Sequence, residues 1–420
     1  MSTQSYYTRL VDPYLAEIRR TFPAVLLTGA RATGKTTTAR QHVETVIRLD
    51  RYEEAGAFQA APDRALATMR GSVLLDEWQE VPEVLGAVKR AVDEGAEPGR
   101  FLLAGSVRAP MKTTMWPGTG RLIQVSMYPM TTAELKPDGV GTAGKVLDLL
   151  STGRAGELLP PADPPDLVGY LELAVAGGYP EVVRAPGRAR TLWLTSYLEQ
   201  VFTRDTAALG EHPDSGRLRR FVEVLAANTA GLIADTDLAR LAGLNVKTVK
   251  HYQHLLVELG LLDSVPAWFA NRNTRFAKGH KYYFIDPGLA AALIGVDVVA
   301  LLRDTDMMGR MLDTFVAAQI RPLLELREDG ARLHHLRMRD GRHEVDQIVE
   351  FRNGRLLAIE VKASAGPSTT DARHLAWMRD QFGEHFVGGI VFHTGKWVYP
   401  LGERITAVPI AALWDQRWDG

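Results

Sequence analysis

The chain has 420 residues, 46 % hydrophobic and 24 % charged, a globular balance that excludes a largely disordered or fibrous protein. Lys+Arg total 49 and Asp+Glu 50, a net charge of -1, so the average charge points to no nucleic-acid or membrane partner, and any such partner must be met by a local patch. There is no cysteine, which excludes disulfides, thiolate metal sites and a Cys nucleophile.

At about 150 residues per domain the length predicts two or three domains. The N-terminus lacks the apolar stretch of a signal peptide, and no run approaches the roughly 18 apolar residues of a spanning helix. The expected location is therefore the cytoplasm, with no membrane partner. In chain order, residues 24–28 (A-V-L-L-T) predict a buried strand that ends in Gly29, followed by a helix from Lys35 to about His42. Strands are predicted at 46–49, 72–75, 101–104 and 122–125, with helices at 53–70 and from Val84 to Val92. Strands alternating with helices argue a mostly parallel sheet covered on both faces. Residues 137–166 are rich in Pro, Gly and Ala and are expected to be a loop or hinge, and 167–230 to be helical. Two helices joined by a short turn are predicted over 236–262, then short strands near 264–269 and 281–285. An amphipathic helix at 307–326 precedes strands at 333–338, 344–351 and 356–361, a helix at 371–382, and strands at 387–392 and 405–408.

The strongest motif is G-A-R-A-T-G-K-T, which matches G-x-x-x-x-G-K-[ST] and sits between a predicted strand and a predicted helix, as a phosphate-binding loop requires. Gly29 and Gly34 let the backbone turn so that the amides of Gly29, Ala30, Arg31, Ala32, Thr33, Gly34, Lys35, Thr36 and Thr37 converge on phosphates. Lys35 supplies a point charge near the β- and γ-phosphates, the Thr36 hydroxyl reaches Mg²⁺, and the helix N-terminus adds partial positive charge. V-L-L-D-E then reads as an apolar strand ending in two acids: Asp76 to hold Mg²⁺ and Glu77 to polarise the attacking water. Ser106 is read either as a γ-phosphate sensor or as a strand cap, and Arg121 either as an arginine finger or as a surface arginine.

The runs D-E-W-Q-E-V-P (Asp76 to Pro82), F-L-L-A-G-S, Y-P-M-T-T-A-E-L (from Tyr128), G-G-Y-P-E (from Gly177) and Y-F-I-D-P-G-L-A (from Tyr283) together resemble prokaryotic AAA-type ATPases that carry a poorly characterised C-terminal region. The resemblance covers nearly the whole chain. It implies an α/β protein: an AAA-like P-loop parallel sheet, then a helical and winged-helix domain, then an α/β restriction-endonuclease-like domain. The corresponding blocks are 1–136, a hinge and helical connector over 137–215, a winged helix over 216–300, and a nuclease-like domain over 301–420. No base-reading N-K-x-D motif is evident, so the expected nucleotide is ATP, with Mg²⁺.

In the third block Leu238, Leu241 and Leu244 fall at helical spacing, Gly243 marks a turn and Asn245 is placed to cap the next helix. Val249, Tyr252, Leu255, Leu256 and Leu259 form that helix's apolar stripe, and Lys247, Lys250 and His251 face outward. Arg272, Arg275, Lys278 and Lys281 follow with no acid within 270–281, a local basic excess that suits salt-dependent DNA contact. The same residues also fit a winged helix used only for protein packing.

In the last block H-E-V-D-Q-I-V-E and L-L-A-I-E-V-K bring Asp346 near the Glu360 and Lys362 pair, which period-2 alternation puts on one face. Two carboxylates suit Mg²⁺, and the lysine an attacking water. The arrangement resembles the PD-(D/E)xK nuclease core, in which an acid from the preceding helix completes the site; Asp313 is that acid here. Val345 stands where that motif carries proline. The alternative is a fold that binds without cutting, with Glu360 and Lys362 as an ion pair. His334, His335 and His343 lack a ligand spacing and are read as exposed polar residues. An arginine finger given in trans implies a homo-oligomer, and a protein partner stays open beside DNA.

Overall fold

Two β-sheets, each closing on a different stretch of the chain, set the positions of everything else. The computed structural model describes residues 6–105, 120–208, 211, 213–271, 273, 275, 279–338 and 342–416. Ser106, Arg272 and Lys278 lie outside the described residues.

The N-terminal sheet holds β1 (Ala24–Thr28), β2 (Thr45–Arg48), β3 (Val73–Asp76), β4 (Phe101–Ala104) and β5 (Ile123–Ser126), in the order β2-β3-β4-β1-β5 with every pair parallel. Its central strands read as unbroken apolar runs because both faces are covered. Ala24, Leu26, Leu75 and Leu103 point to helices Tyr52–Ala60, Pro62–Thr68 and Val84–Asp93. Val25, Leu27, Leu74 and Leu102 point to helix Val11–Ile18 and the phosphate-loop helix. The strand order leaves β4 between the phosphate-loop strand and the acidic strand, so the carboxyl ends of β1 and β3 share one rim.

A helical middle follows, ending in helices Ser215–Ala226, Asp235–Ala242 and Val246–Glu258 and the antiparallel ribbon β6 (Leu262–Val265) with β7 (Lys281–Phe284). The side chain of Asn245 accepts the Thr248 amide at 2.9 Å, Gly243 takes the left-handed turn (φ 68°), and the expected stripe from Val249 to Leu259 is buried. Leu241, in contrast, is exposed, and Ala239 and Ala242 line the packed face with Leu238. The last sheet is mixed, in the order β12-β13-β11-β10-β9-β8, with β8 (Arg332–Arg337), β9 (Glu344–Glu350), β10 (Leu356–Lys362), β11 (Phe386–His393), β12 (Tyr399–Gly402) and β13 (Ile405–Pro409). The long helix Thr305–Glu325 packs on it, and a single core runs from Leu10 through Phe221 and Leu312 to Trp414. Among the described residues no helix is long and apolar enough to cross a membrane.

Three expectations are corrected. The helix expected over 53–70 is two helices that break at Pro62, because Pro lacks an N–H and forces Ala61 out of the helical region (φ -155°). The segment expected to be a hinge contains the 13-residue helix Gly139–Ser151, whose Val146, Leu147 and Leu150 are buried; its glycines disguised an apolar face at helical spacing. His334 and His335 are buried rather than exposed, and burial pushes the His335 imidazole down to about 3. β12 had no expectation attached to it.

Buried charges fasten the layers. Asp286, two residues past β7, caps helix Pro287–Ile294 through the Leu289 amide at 2.7 Å and accepts the Gly178 amide at 2.6 Å. The Gly178 carbonyl in turn accepts the Met130 amide at 2.7 Å. Arg9 bonds Glu134 at 2.9 Å, the Thr33 carbonyl at 2.8 Å and the Tyr128 carbonyl at 2.8 Å, tying the chain start to the phosphate loop.

Candidate functional site

The loop between β1 and helix Lys35–Ala39 has the backbone a phosphate cradle requires. Gly29 has φ 148°, and a Cβ there would come within 2.1 Å of the Met127 carbonyl oxygen, so only glycine fits. Gly34 opens the helix from a left-handed conformation. Thr33 closes the loop on itself, its hydroxyl donating to the Ala30 carbonyl at 2.9 Å, and Thr37 is exposed on the helix's outer side. Lys35 is buried and donates to the Gly29 carbonyl at 2.9 Å and the Ala30 carbonyl at 2.7 Å. Burial pushes its ammonium down to about 8, against the pull of nearby Glu77.

Thr36 donates its hydroxyl to Asp76 at 2.8 Å. Burial drives the Asp76 carboxyl up to about 6; the Thr36 bond opposes this, and neighbouring Glu77 and Asp50 add to it. A buried carboxylate joined to a hydroxyl is an oxygen pair that suits a hard divalent cation. Asp76 and Thr36 therefore fit Mg²⁺. Glu77 stands in the left-handed region (φ 51°), an uncommon conformation for a non-glycine residue, and Gln79 donates to its carboxylate. The D-E-x-Q spacing thus places the glutamine to orient the second acid.

Residues from far along the chain wall in the loop, and sequence reasoning missed them. Asp205, in a π-helical segment over Val201–Asp205, reaches Arg31 at 3.5 Å. Burial raises its carboxyl, and the surrounding charges include Arg31, Glu77 and Lys35. The Tyr197 hydroxyl donates to the Arg31 carbonyl at 3.3 Å. The corner at Gly260 rests on Ala30: a Cβ at Gly260 would come within 3.1 Å of the Ala30 amide nitrogen. The π-helical turn was the available structural signal for Asp205, since such turns concentrate at functional sites. Nothing local in the sequence marks its partner.

Arg121 is not at this site. It precedes β5, whose Ile123 is level with Val25, whereas the loop lies beyond Thr28 at the other end of the sheet. Parallel strands put both starts on one rim, and there Arg121 bonds Asp93 at 2.7 Å. A finger role toward its own loop is therefore excluded.

The expected basic surface also changes. Lys247, Lys250 and His251 are exposed on helix Val246–Glu258, with His251 at 3.2 Å from Glu211. Arg275, by contrast, turns inward and binds Glu350 with both terminal nitrogens, at 2.6 and 2.9 Å. Lys281 is fully enclosed. Arg275 and Lys281 found their acids on β9 and on helix Thr305–Glu325.

The C-terminal cluster is brought together as expected, with additions. The Val361 amide donates to Asp346 at 3.0 Å, and Lys362 pairs with Glu360 at 2.8 Å. Burial, then Asp346, raises the Glu360 carboxyl well above its ordinary range. Asp313 is buried beside them and is bonded by Lys281 at 2.6 Å and Gln347 at 2.7 Å. Among the described residues no group of three or more His, Asp or Glu side chains is placed to hold a metal ion.

Comparison with known proteins divides the chain in three. Residues 21–136 match a family model described as an AAA domain, residues 168–299 a domain of unknown function (DUF8612), and residues 308–413 another (DUF4143). The chain is 26 % identical over 411 residues to the uncharacterized protein Mb2031c of Mycobacterium bovis and, equally, to Rv2008c of Mycobacterium tuberculosis, covering 94 % of this chain and 82 % of each relative. The Walker-type ATPase PABY2304 of Pyrococcus abyssi shares 16 % identity at a TM-score of 0.41, over 69 % of this chain and 96 % of that one. The AAA match falls on the parallel sheet and its phosphate loop, which form an AAA-like P-loop domain.

A native value near 6 against an ordinary 3.8 means that folded Asp76 holds a proton that the unfolded chain has released between about pH 4 and 6. Stability of the nucleotide-free chain should therefore fall as pH rises through that window. Asp76→Asn should remove this fall and add about 1–3 kcal/mol at pH 8. Thermal melts from pH 4 to 8 check it; a parent and variant with parallel pH profiles would refute the assignment.

Proposed function

We propose that this chain binds ATP with Mg²⁺ in its phosphate loop, hydrolyses it, and passes the nucleotide state to the regions packed on that loop. The observation that carries the reading is the Thr36 to Asp76 bond at 2.8 Å beside a buried Lys35, with Glu77 held by Gln79 next to it. Thr36 and Asp76 would hold Mg²⁺, which when bound supplies charge neutralisation on the phosphates. Lys35 gives up the Gly29 and Ala30 carbonyls for phosphate oxygens. Glu77 takes a proton from the attacking water, and Gln79 fixes the carboxylate for it.

Transmission follows from Asp205. A bound triphosphate and the Asp205 carboxylate are both anionic, and both draw on Arg31 and Lys35. Nucleotide binding thus sets the position of the Val201–Asp205 segment and, through Tyr197, of helix Gly187–Gln200. We read 1–136 as the ATPase block, 137–215 as the connector, 216–300 as a winged helix built from three helices and the ribbon, and 301–420 as a nuclease-like fold that does not cut. The second reading, DNA contact, rests on exposed Lys247 and Lys250 on one helix face.

Purified protein should turn over ATP with Mg²⁺. Glu77→Gln should lower the turnover rate about 10²–10⁴-fold while ATP still binds; undiminished turnover would sink the mechanism. Asp205→Asn should tighten ATP binding roughly tenfold by removing a competing charge, measured by calorimetry, and weaker or equal binding argues against the coupling. Lys247→Glu with Lys250→Glu should lower the salt slope of DNA binding by roughly two and leave ATP turnover intact. Binding that is unchanged removes DNA from the proposal.

A further inference from the structure

Two acids of the C-terminal cluster, Asp313 and Asp346, face a cation that the protein itself provides. Lys281 begins β7 in the two-stranded ribbon, and alternation along that strand sends Lys281 and Tyr283 to the same side. That side faces helix Thr305–Glu325 and β9. The Lys281 ammonium is 2.6 Å from Asp313 Oδ2, 3.3 Å from the Asp346 carbonyl oxygen and 4.0 Å from Asp346 Oδ1. An ammonium carries three donors and one unit of positive charge, and here they are turned on two of the three acids.

The carboxylates are also occupied from their other sides. Tyr283 lies 3.3 Å from both Asp313 oxygens, and Gln347 donates to Oδ1 at 2.7 Å. Asp346 Oδ2 takes the Val361 amide, and Glu360 takes Lys362. A divalent ion bound by Asp313 and Asp346 needs oxygens at about 2.0–2.6 Å. The volume between those two carboxylates is where the ammonium sits, and two cations cannot share it. The residues present therefore do not fit a resident Mg²⁺ between Asp313 and Asp346, and the Glu360 carboxylate beside them is already engaged by Lys362.

We infer that Lys281 is the cation of this cluster: its ammonium takes the metal position, so the C-terminal region is an ion-pair core that fastens the ribbon to the last sheet and does not cut phosphodiesters. The inference stands apart from the ATPase reading, since it uses no residue of the phosphate loop. It carries a consequence. The carboxylates are kept free of metal by the docked ribbon, so removing the ammonium alone turns the cluster into a divalent-cation site.

The test is Mn²⁺ binding to the nucleotide-free full chain, followed by the electron paramagnetic resonance signal of free Mn²⁺, with Asp76→Asn present throughout to silence the phosphate loop. The parent chain should show no binding that depends on Asp346. Lys281→Ala should gain about one equivalent, and adding Asp346→Asn should abolish the gain. Binding by the parent chain that Asp346→Asn removes would overturn the inference, as would a folded Lys281→Ala chain that gains nothing. Should Lys281→Ala fail to fold, thermal melting of the parent chain decides. The inference expects the same midpoint in millimolar Mn²⁺ as in chelator and intact DNA after incubation, whereas an Asp346-dependent rise in midpoint or any Asp346-dependent cutting overturns it.

Discussion

The Asp286 carboxylate is the joint on which the rest of the arrangement depends. It is buried, follows β7, caps the next helix and accepts the Gly178 amide. Gly178 passes the connection to Met130, just past the N-terminal sheet. Three segments, around Met130, Gly178 and Asp286, are thus joined through one carboxylate and one carbonyl. Burial pushes the Asp286 carboxyl up to about 6, opposed by the amides of Gly178 and Leu289. Losing the acceptor would strand two buried amides, each at about 1–3 kcal/mol, and would free the Gly177-Gly178 turn from the ribbon. The quoted runs Y-P-M, G-G-Y-P and D-P-G are therefore parts of a single contact.

That joint brings later parts of the chain onto the phosphate loop. The turn after Gly178 places Pro180 beside Gly34, with Tyr197 and Asp205 on Arg31 and the Gly260 corner on Ala30. Beside Pro180, Arg9, paired with Glu134, holds the Thr33 carbonyl. The loop thus has walls from the chain start, the connector and the helix-ribbon region. An anion entering it would meet groups from all three walls, in an interior packed closely enough to transmit a displacement.

What could be read from the sequence is what local pattern encodes. The phosphate loop, the strand ending at Asp76, the Asn245 cap and the alternation that pairs Glu360 with Lys362 each depend on residues within a few positions of one another. What could not be read depends on partners chosen by the tertiary fold. Arg275 and Lys281 looked like surface bases because their acids, Glu350 and Asp313, are 75 and 32 positions away. Asp205 looked like one acid in a helical stretch because nothing near it names Arg31. His334 and His335 looked exposed because polar type was weighed above their place on β8, where Leu333 and Leu336 beside them are also buried. The helix over Gly139–Ser151 was hidden by its composition: three glycines and an alanine suggested a linker, although Val146, Leu147 and Leu150 mark a buried face.

The acids around Asp76 and those around Asp313 obey the same electrostatics and lead to opposite conclusions. Asp76 receives a hydroxyl, a neutral donor, and faces two further acids, so burial leaves it near 6. A cation from outside would relieve that cost, which is what the proposed nucleotide with Mg²⁺ would deliver. Asp313 and Asp346 face an ammonium built into β7. Burial works against that charge, yet Asp313, Tyr283 and Asp346 around it hold Lys281 well above the ordinary lysine range, so the ammonium stays charged. Counting carboxylates along a sequence finds both clusters and ranks them alike. The distinguishing fact is the origin of the compensating charge: left to a ligand at the phosphate loop, and supplied by the fold in the last sheet.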